Sequence, residues 1–382
     1  MLIAELRDAP IYTSAVIPTL AKVDWRRFLR RRPLPAPPPQ TLQALQKERI
    51  LVTGAGGSIG SALALRLAAP GSAHLVLLEA SESHLSRLQA ECANSSCDSR
   101  PHFALGNAGD ADLLRELFAQ SRPTLVFHTA AYKHVPLLEE QPFAAVQNNI
   151  IVTETLAAIA SEFGTRILLL STDKAVMPAS IMGATKRASE QIVRSAGGTV
   201  VRLGNVLASS GSVVEIFLSQ LVNLESLTVT DPLARRYFLT IDEAVNVLIA
   251  ASAEEEPGCL FVPALPEQQF ITDLAEFVAR EIAPGQKGRI AFTQPRPGDK
   301  ECEQMWSQSE HASSPDARAL IRIDSPRTSP SLLRSALSEL RAALHRHDLA
   351  ALLAALQQIV PDYLPSSTIL DRVSRAAAPA LP

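Results

Sequence analysis

Thr172, Asp173 and Lys174 stand side by side after the apolar run LLLS at 168–171. A hydroxyl, a carboxylate and an ammonium leaving the C-terminal end of a strand together lie at the edge where open α/β sheets bind ligands. An adjacent acid and base suit an elimination, in which one group protonates a departing hydroxyl and the other removes a proton from carbon. The same triplet also occurs as a plain cap on the following element. A Gly-rich loop upstream favours the catalytic reading, and Lys186, on a predicted helix, joins the candidates.

That loop lies in ILVTGAGGSIGSALALRLA, residues 50–68. Thr53, Gly54, Gly57 and Gly60 fall in a T-G-x-x-G-x-x-G spacing between an apolar strand and a helix opened by Ser58 and Ile59. Glycines there allow a tight turn and close approach of a pyrophosphate, while the helix N-terminus supplies free N–H donors and a positive dipole. Glu79 ends the next strand, where a carboxylate accepts from the adenosine ribose diol and repels a 2′-phosphate. NAD is therefore the expected cofactor. NADP stays possible because His84 and Arg87 are near enough in sequence to offset a phosphate.

These residues need a scaffold that brings strand ends together. From ILVT at 50–53 to TVVRLG at 199–204, short β-rich runs alternate with helical stretches, which implies right-handed crossovers. The predicted fold class is α/β: a Rossmann-type doubly wound parallel sheet with a smaller mixed C-terminal substrate lobe. Residues 1–47 read as an N-terminal arm and Pro-rich linker, and 48–204 as the dinucleotide-binding core, to which 236–282 returns. Segments 205–235 and 283–325 are assigned to the substrate lobe, 326–364 to C-terminal helices and 365–382 to a loose tail.

The 382 residues are 47% apolar and 20% charged, enough to bury a large core. With 36 basic against 39 acidic residues there is no broad basic face, and nucleic acid is not expected as a partner. Cys92, Cys97, Cys259 and Cys302 form no C-x-x-C pair, which fits a reducing cytoplasm. Residues 1–8 carry Glu5, Arg7 and Asp8 and lack a secretory pattern. The uncharged stretches 9–20 and 349–361 fall short of the roughly 20 apolar residues that cross a bilayer, so no transmembrane segment is expected. No metal site is expected either: His134, beside Lys133, has no second ligand at suitable spacing.

The segments TGAGGSIGS (53–61), HTAAYKHVPLLEEQP (128–142), STDKAVMPASIMGATKRASE (171–190), VRLGNVLASSGSVV (201–214), TVTDPLARRYFLTIDEAV (228–245) and RPGDK (296–300) run in order through most of residues 48–303. On these the chain resembles an extended short-chain dehydrogenase/reductase, and more narrowly the nucleotide-sugar 4,6-dehydratases of bacterial polysaccharide biosynthesis. The resemblance implies a bound NAD(P) regenerated in each cycle and a UDP-hexose substrate such as UDP-GlcNAc. C4 is oxidised, water is eliminated across C5 and C6, and hydride returns to C6. It also implies that Thr172 holds the C4 hydroxyl, Asp173 protonates the departing C6 hydroxyl, Lys174 takes the C5 proton and Lys186 binds the nicotinamide ribose.

Met182 stands where most short-chain dehydrogenases have a titrating tyrosine, similar to the membrane-associated large dehydratases, so proton removal at C4 falls to Thr172 with Asp173 or Lys174. Asn107 and Ala130 complete the implied cofactor contacts, Asn107 without the charge of the family's usual aspartate. Arg236 and Arg296 are the implied diphosphate ligands, and Lys133 and Asn205 the implied sugar or phosphate contacts. A UDP-hexose epimerase of the same fold, and a non-catalytic dinucleotide-binding scaffold, are the competing readings.

WRRFLRRR at 25–32 suits packing on its own domain or a neighbour, with peripheral contact to an anionic membrane surface as the other option. The Ala- and Leu-rich stretch 329–358 and the proline-rich arm offer apolar surface, from which a homo-oligomer is expected.

Overall fold

Continuous apolar runs become the buried centre of a sheet. The computed structural model describes residues 20, 23–68, 74–95, 101–283, 289–313 and 320–377; Cys97 and residues 1–19 of the arm lie outside them. Numbering only the strands of the central sheet, β1 is Ile50–Thr53, β2 Leu75–Glu79, β3 His102–Leu105, β4 Leu125–His128, β5 Arg166–Thr172, β6 Thr199–Leu203, β7 Leu260–Pro263, β8 His311–Ser313 and β9 Leu320–Asp324. Their order is β8-β9-β7-β6-β5-β4-β1-β2-β3, parallel from β7 through β3, with β9 and β8 antiparallel at the edge. β1 and β2 are buried along their whole length because both faces are covered.

The two faces are legible residue by residue. Leu51, Val76 and Leu78 enter one core, with helices Ala111–Ser121, Val152–Glu162 and Ile181–Ser195. Their strand neighbours Ile50, Val52, Leu75 and Leu77 enter the other, with helices Ser58–Leu67, Glu82–Asn94 and Ile241–Ser252. This is the period-two alternation of a strand, with helix on each side. The chain winds outward from β1 to β3, then returns to place β4 on the other side of β1. The loops after β1 and β4 consequently diverge at a switch point, where open α/β sheets form a ligand crevice.

A third core holds the smaller lobe, in which helices Val213–Val222 and Ile271–Ile282 pack beside the paired strands Leu227–Val229 and Ile290–Phe292.

Several boundaries differ from the sequence reading. Within the arm and linker, Trp25–Leu29 and Pro39–Leu45 are helices, and the arm packs on its own domain. Phe28 and Leu29 are buried in the third core, and Arg31 pairs with Glu243 at 2.6 Å. Apolar side chains at 28, 29 and 34 drive this docking, which leaves the basic residues to find local counter-charges. β8 and β9, assigned to the substrate lobe, extend the main sheet instead, because β7 offers them an unpaired edge.

The expected loose tail contains the helix Ser367–Ala377, held where Arg372 donates to the carbonyls of Glu139 and Glu140. The apolar stripe of helices Pro330–Arg346 and Leu349–Ile359 is buried inside the chain, on Leu333, Leu337, Leu340, Leu352 and Leu356. It is thus not the free surface on which oligomerisation was expected. Pro142–Glu162 is long and apolar enough by length and composition to cross a bilayer, but 61% of its apolar window is buried in this fold.

Candidate active site

The Gly-rich turn is built as a cradle. Gly54 adopts φ +68°, and a Cβ there would lie 2.7 Å from the backbone of Ala130, on the loop after β4. A Cβ on Gly60 would lie 2.1 Å from the Gly54 carbonyl oxygen. Only glycine lets the two switch-point loops and the helix start close this tightly. Helix Ser58–Leu67 begins at Gly57 with no side-chain cap, which leaves its first N–H groups for an anion. A pyrophosphate fits this cradle in size and charge.

Glu79 is buried, its Oε2 accepting from Gly56 N and its Oε1 from Ser81 N, each at 2.9 Å. Both oxygens keep lone pairs for a diol. Asn107 is exposed at the end of the neighbouring strand, its Oδ1 accepting from Gly109 N at 2.7 Å. Ser58 Oγ accepts from Ser210 N at 2.9 Å, so a loop of the smaller lobe closes over the turn. Ile59 packs partly buried against the second core.

Thr53 does not face the crevice: it is fully buried, and its hydroxyl lies 2.7 Å from His128 Nδ1. A strand residue one step before the turn points into the sheet's face rather than beyond its edge.

At the end of β5, Thr172 opens a tight helical turn, Asp173–Ala175. Thr172 Oγ1 donates to Asp173 Oδ1 at 2.9 Å, and Lys174 Nζ donates to the same oxygen at 3.0 Å. Asp173 is fully buried, and its Oδ2 has no hydrogen-bond partner among the described residues. Burial raises the Asp173 pKa above the ordinary carboxylate value, with Lys174 opposing and Glu303 adding to the rise. Burial also works against the Lys174 ammonium, but Asp173 and Glu303 outweigh it and hold its pKa above the usual value. Asp173 can therefore take up a proton more readily than an ordinary carboxylate.

Lys186 and Met182 come from helix Ile181–Ser195, capped by Ser180 Oγ, which accepts from Gly183 N at 3.1 Å. Lys186 is buried and donates to the Leu170 carbonyl at 2.7 Å. Burial lowers its pKa to about 8, against the pull of Glu190. Met182 is 4% exposed and belongs to the apolar core, where its thioether takes no part in proton transfer.

The implied substrate ligands are less uniform. Arg236 is buried, and its guanidinium donates to the carbonyls of Arg235, Glu301 and Lys300 at 2.7–2.9 Å. These bonds tie it to the loop after Arg296, since a cation deprived of water takes the nearest carbonyls. Asn205 Oδ1 accepts from Lys174 Nζ at 2.9 Å, a contact to the acid–base pair. Arg296 is exposed and pairs with Asp299 at 2.9 Å. Lys133 is exposed on the loop after β4, with Glu215 as its nearby counter-charge.

Sequence reasoning missed Glu303. It is 2% exposed, and its carboxylate lies 3.5 Å from Lys174 Nζ and 3.2 Å from Lys300 Nζ. Its only local signal is the i, i+3 spacing from Lys300.

A family model described as polysaccharide biosynthesis protein matches residues 50–325, which include the cradle, the Asp173–Lys174 pair and Glu303. The chain belongs to that family. Among its relatives, the probable polysaccharide biosynthesis protein EpsC of Bacillus subtilis is 37% identical over 293 residues, 74% of this chain and 49% of EpsC. The chain thus spans about half the length of that relative. A UDP-glucose 4-epimerase of Rickettsia rickettsii is 30% identical over 286 residues, 72% of this chain and 82% of the epimerase. The solved structure of Pen from Bacillus thuringiensis superposes with a TM-score of 0.67 at 27% identity, over 74% of this chain and 89% of Pen. Within the polysaccharide biosynthesis family, the fold is that of the extended short-chain dehydrogenases/reductases, related to nucleotide-sugar dehydratases and epimerases.

Proposed function

We propose that the protein is an NAD-dependent nucleotide-sugar 4,6-dehydratase, acting on UDP-GlcNAc or a similar UDP-hexose in the synthesis of a surface polysaccharide or glycan. The observation that carries this reading is the buried Asp173–Lys174 pair, an acid with a free Oδ2 beside an amine. An epimerase exchanges hydride at C4 and has no use for an acid and a base at C5 and C6.

NAD, when bound, accepts hydride from C4 and returns it to C6. The Gly54, Gly57 and Gly60 cradle would hold its pyrophosphate, Glu79 its adenosine ribose and Lys186 its nicotinamide ribose. The Glu79 carboxylate at the ribose favours NAD over NADP. Thr172 passes the C4 hydroxyl proton to Asp173 along the hydrogen bond it already makes. Lys174, having released its ammonium proton to solvent, takes the C5 proton, which the C4 ketone has made acidic, while Asp173 gives its proton to the C6 hydroxyl. That hydroxyl leaves as water. Lys174 then returns its proton to C5, and both side chains end as they began.

Mass spectrometry of UDP-GlcNAc incubated with purified protein and NAD tests the reading. Loss of one water supports it, and an isobaric isomer in its place would establish the second reading, an epimerase, which the Rickettsia relative favours.

A further inference from the structure

Glu303 belongs to none of the elements that carry the acid–base pair, yet its carboxylate lies 3.5 Å from Lys174 Nζ. Lys174 Nζ donates to Asn205 Oδ1 at 2.9 Å and to Asp173 Oδ1 at 3.0 Å, and Glu303 Oε1 lies 3.5 Å away as an ion-pair partner. An ammonium with three N–H bonds can answer all three. A free amine, the form that takes a proton from carbon, has only two N–H bonds and a lone pair. Once Asp173 is neutral, its pull on Nζ falls, and Asn205 as acceptor and Glu303 as counter-charge remain to draw those two N–H bonds. The lone pair is then left on the side of Asp173, where acid and base must both reach adjacent carbons.

We propose, resting on the dehydratase reading, that Glu303 is a positioning residue which, together with Asn205, orients the Lys174 amine as the base of the elimination while Asp173 holds its proton. The placement of Glu303 is itself well braced. Lys300 Nζ donates to Glu303 Oε2 at 3.2 Å and to the Val176 carbonyl at 2.7 Å, which ties the 300–303 segment to the turn after Lys174. Gln268 Nε2 donates to the Glu303 carbonyl at 2.7 Å, and Arg236 holds the carbonyls of Lys300 and Glu301. The charged groups facing Glu303 are Asp173 and the cations Lys174, Lys300 and Arg236; the cations outweigh burial and keep it below the ordinary carboxylate range. Of the two carboxylates on Lys174, Asp173 therefore takes the proton and Glu303 stays an anion.

The test uses the NAD-loaded full chain with UDP-GlcNAc, comparing wild type with Glu303→Gln, Glu303→Asp and Glu303→Ala. In Glu303→Gln, single-turnover hydride loss from C4 and KM should stay within about twofold, while kcat and solvent-deuterium entry at C5 fall at least about tenfold. The acid limb of the kcat profile should also move down by about one pH unit, because the anion that favours protonated Lys174 is gone. Glu303→Asp should recover part of the C5 exchange. Glu303→Gln is isosteric and keeps the test valid if Glu303→Ala fails to fold, which cofactor stoichiometry reports. An unmoved acid limb and wild-type C5 exchange in Glu303→Gln, from an enzyme whose wild type eliminates water, would overturn the role of Glu303 alone. A wild type that converts the sugar without losing water would refute the dehydratase reading, and this proposal with it.

Discussion

Glu190 accepts a hydrogen bond from Ser171 Oγ at 2.6 Å, tying the residue before Thr172 to the helix that carries Lys186. Arg202 grips the same carboxylate through Nε at 2.9 Å and Nη2 at 2.8 Å, and grips Glu310 through Nη1 and Nη2 at 2.9 Å each. All three side chains are buried. Arg202→Met should therefore leave two buried carboxylates with Arg187 as their one shared cation, and cost about 3–5 kcal/mol, read as a lower urea midpoint. Neutralising Glu310 together with Arg202, which leaves Glu190 to pair with Arg187, should recover part of that loss.

Cofactor binding should separate two glycines of the same loop. A methyl at Gly60 meets the Gly54 carbonyl oxygen at 2.1 Å, whereas one at Gly57 meets it at 3.3 Å. Gly60→Ala should abolish NAD binding in a folded protein, and Gly57→Ala should only weaken it. Calorimetric titration with NAD distinguishes the two; equal affinity would count against the cradle.

The acid, the base and the hydroxyl should fail at different steps. Lys174→Met should still show nicotinamide reduction on sugar addition, but neither deuterium entry at C5 nor loss of water. Asp173→Asn should permit C5 exchange without elimination. Thr172→Val should slow the first hydride transfer, because Met182 cannot replace its hydrogen bond. Full dehydratase turnover in all three variants would move the active site away from residues 172–174.

His128 predicts an acid limit to stability. Burial, with Lys186 nearby, lowers its pKa from 6.5 to about 3, so it is neutral in the fold. The Thr153 hydroxyl donates to the Asn149 carbonyl, which assigns the His128 Nε2 as donor to Thr153 and its Nδ1 as acceptor from Thr53. The unfolded chain binds a proton on this ring below its ordinary pKa while the native one does not. Its contribution is thus complete above pH 6.5 and is lost as pH falls toward 3, on the order of 5 kcal/mol in all. His128→Gln should flatten the dependence of urea stability on pH across that window.

The docked arm should stabilise the smaller lobe. Phe28 is 5% exposed and contacts Phe238 and Phe277, each with ring centroids 5.5 Å apart. Phe28→Ala should cost about 3–5 kcal/mol by loss of burial and creation of a cavity, measured as a fall in Tm. An unchanged Tm would mean that the arm is dispensable to the fold.

Much of the fold and one part of the site are legible in the amino-acid order. Runs such as ILVT and LVLLE specify strands buried on both faces, and the glycine spacing at 54, 57 and 60 specifies a turn that side chains would block. Adjacency alone placed Thr172, Asp173 and Lys174 together, because neighbours at a strand end share one edge of the sheet. These are local properties, since backbone conformation and burial period are set within a few residues. What only the tertiary structure decided are the partners of the polar side chains. Glu303 reaches Lys174, Arg236 turns to the 300–301 carbonyls, Thr53 to His128, and residues 25–45 and 367–377 fold onto the domain. A long charged side chain takes the counter-charge or carbonyl that the packed loops bring within about 3 Å once water is removed. Which loop arrives there depends on how the sheet and the lobe close, and no short sequence pattern encodes that.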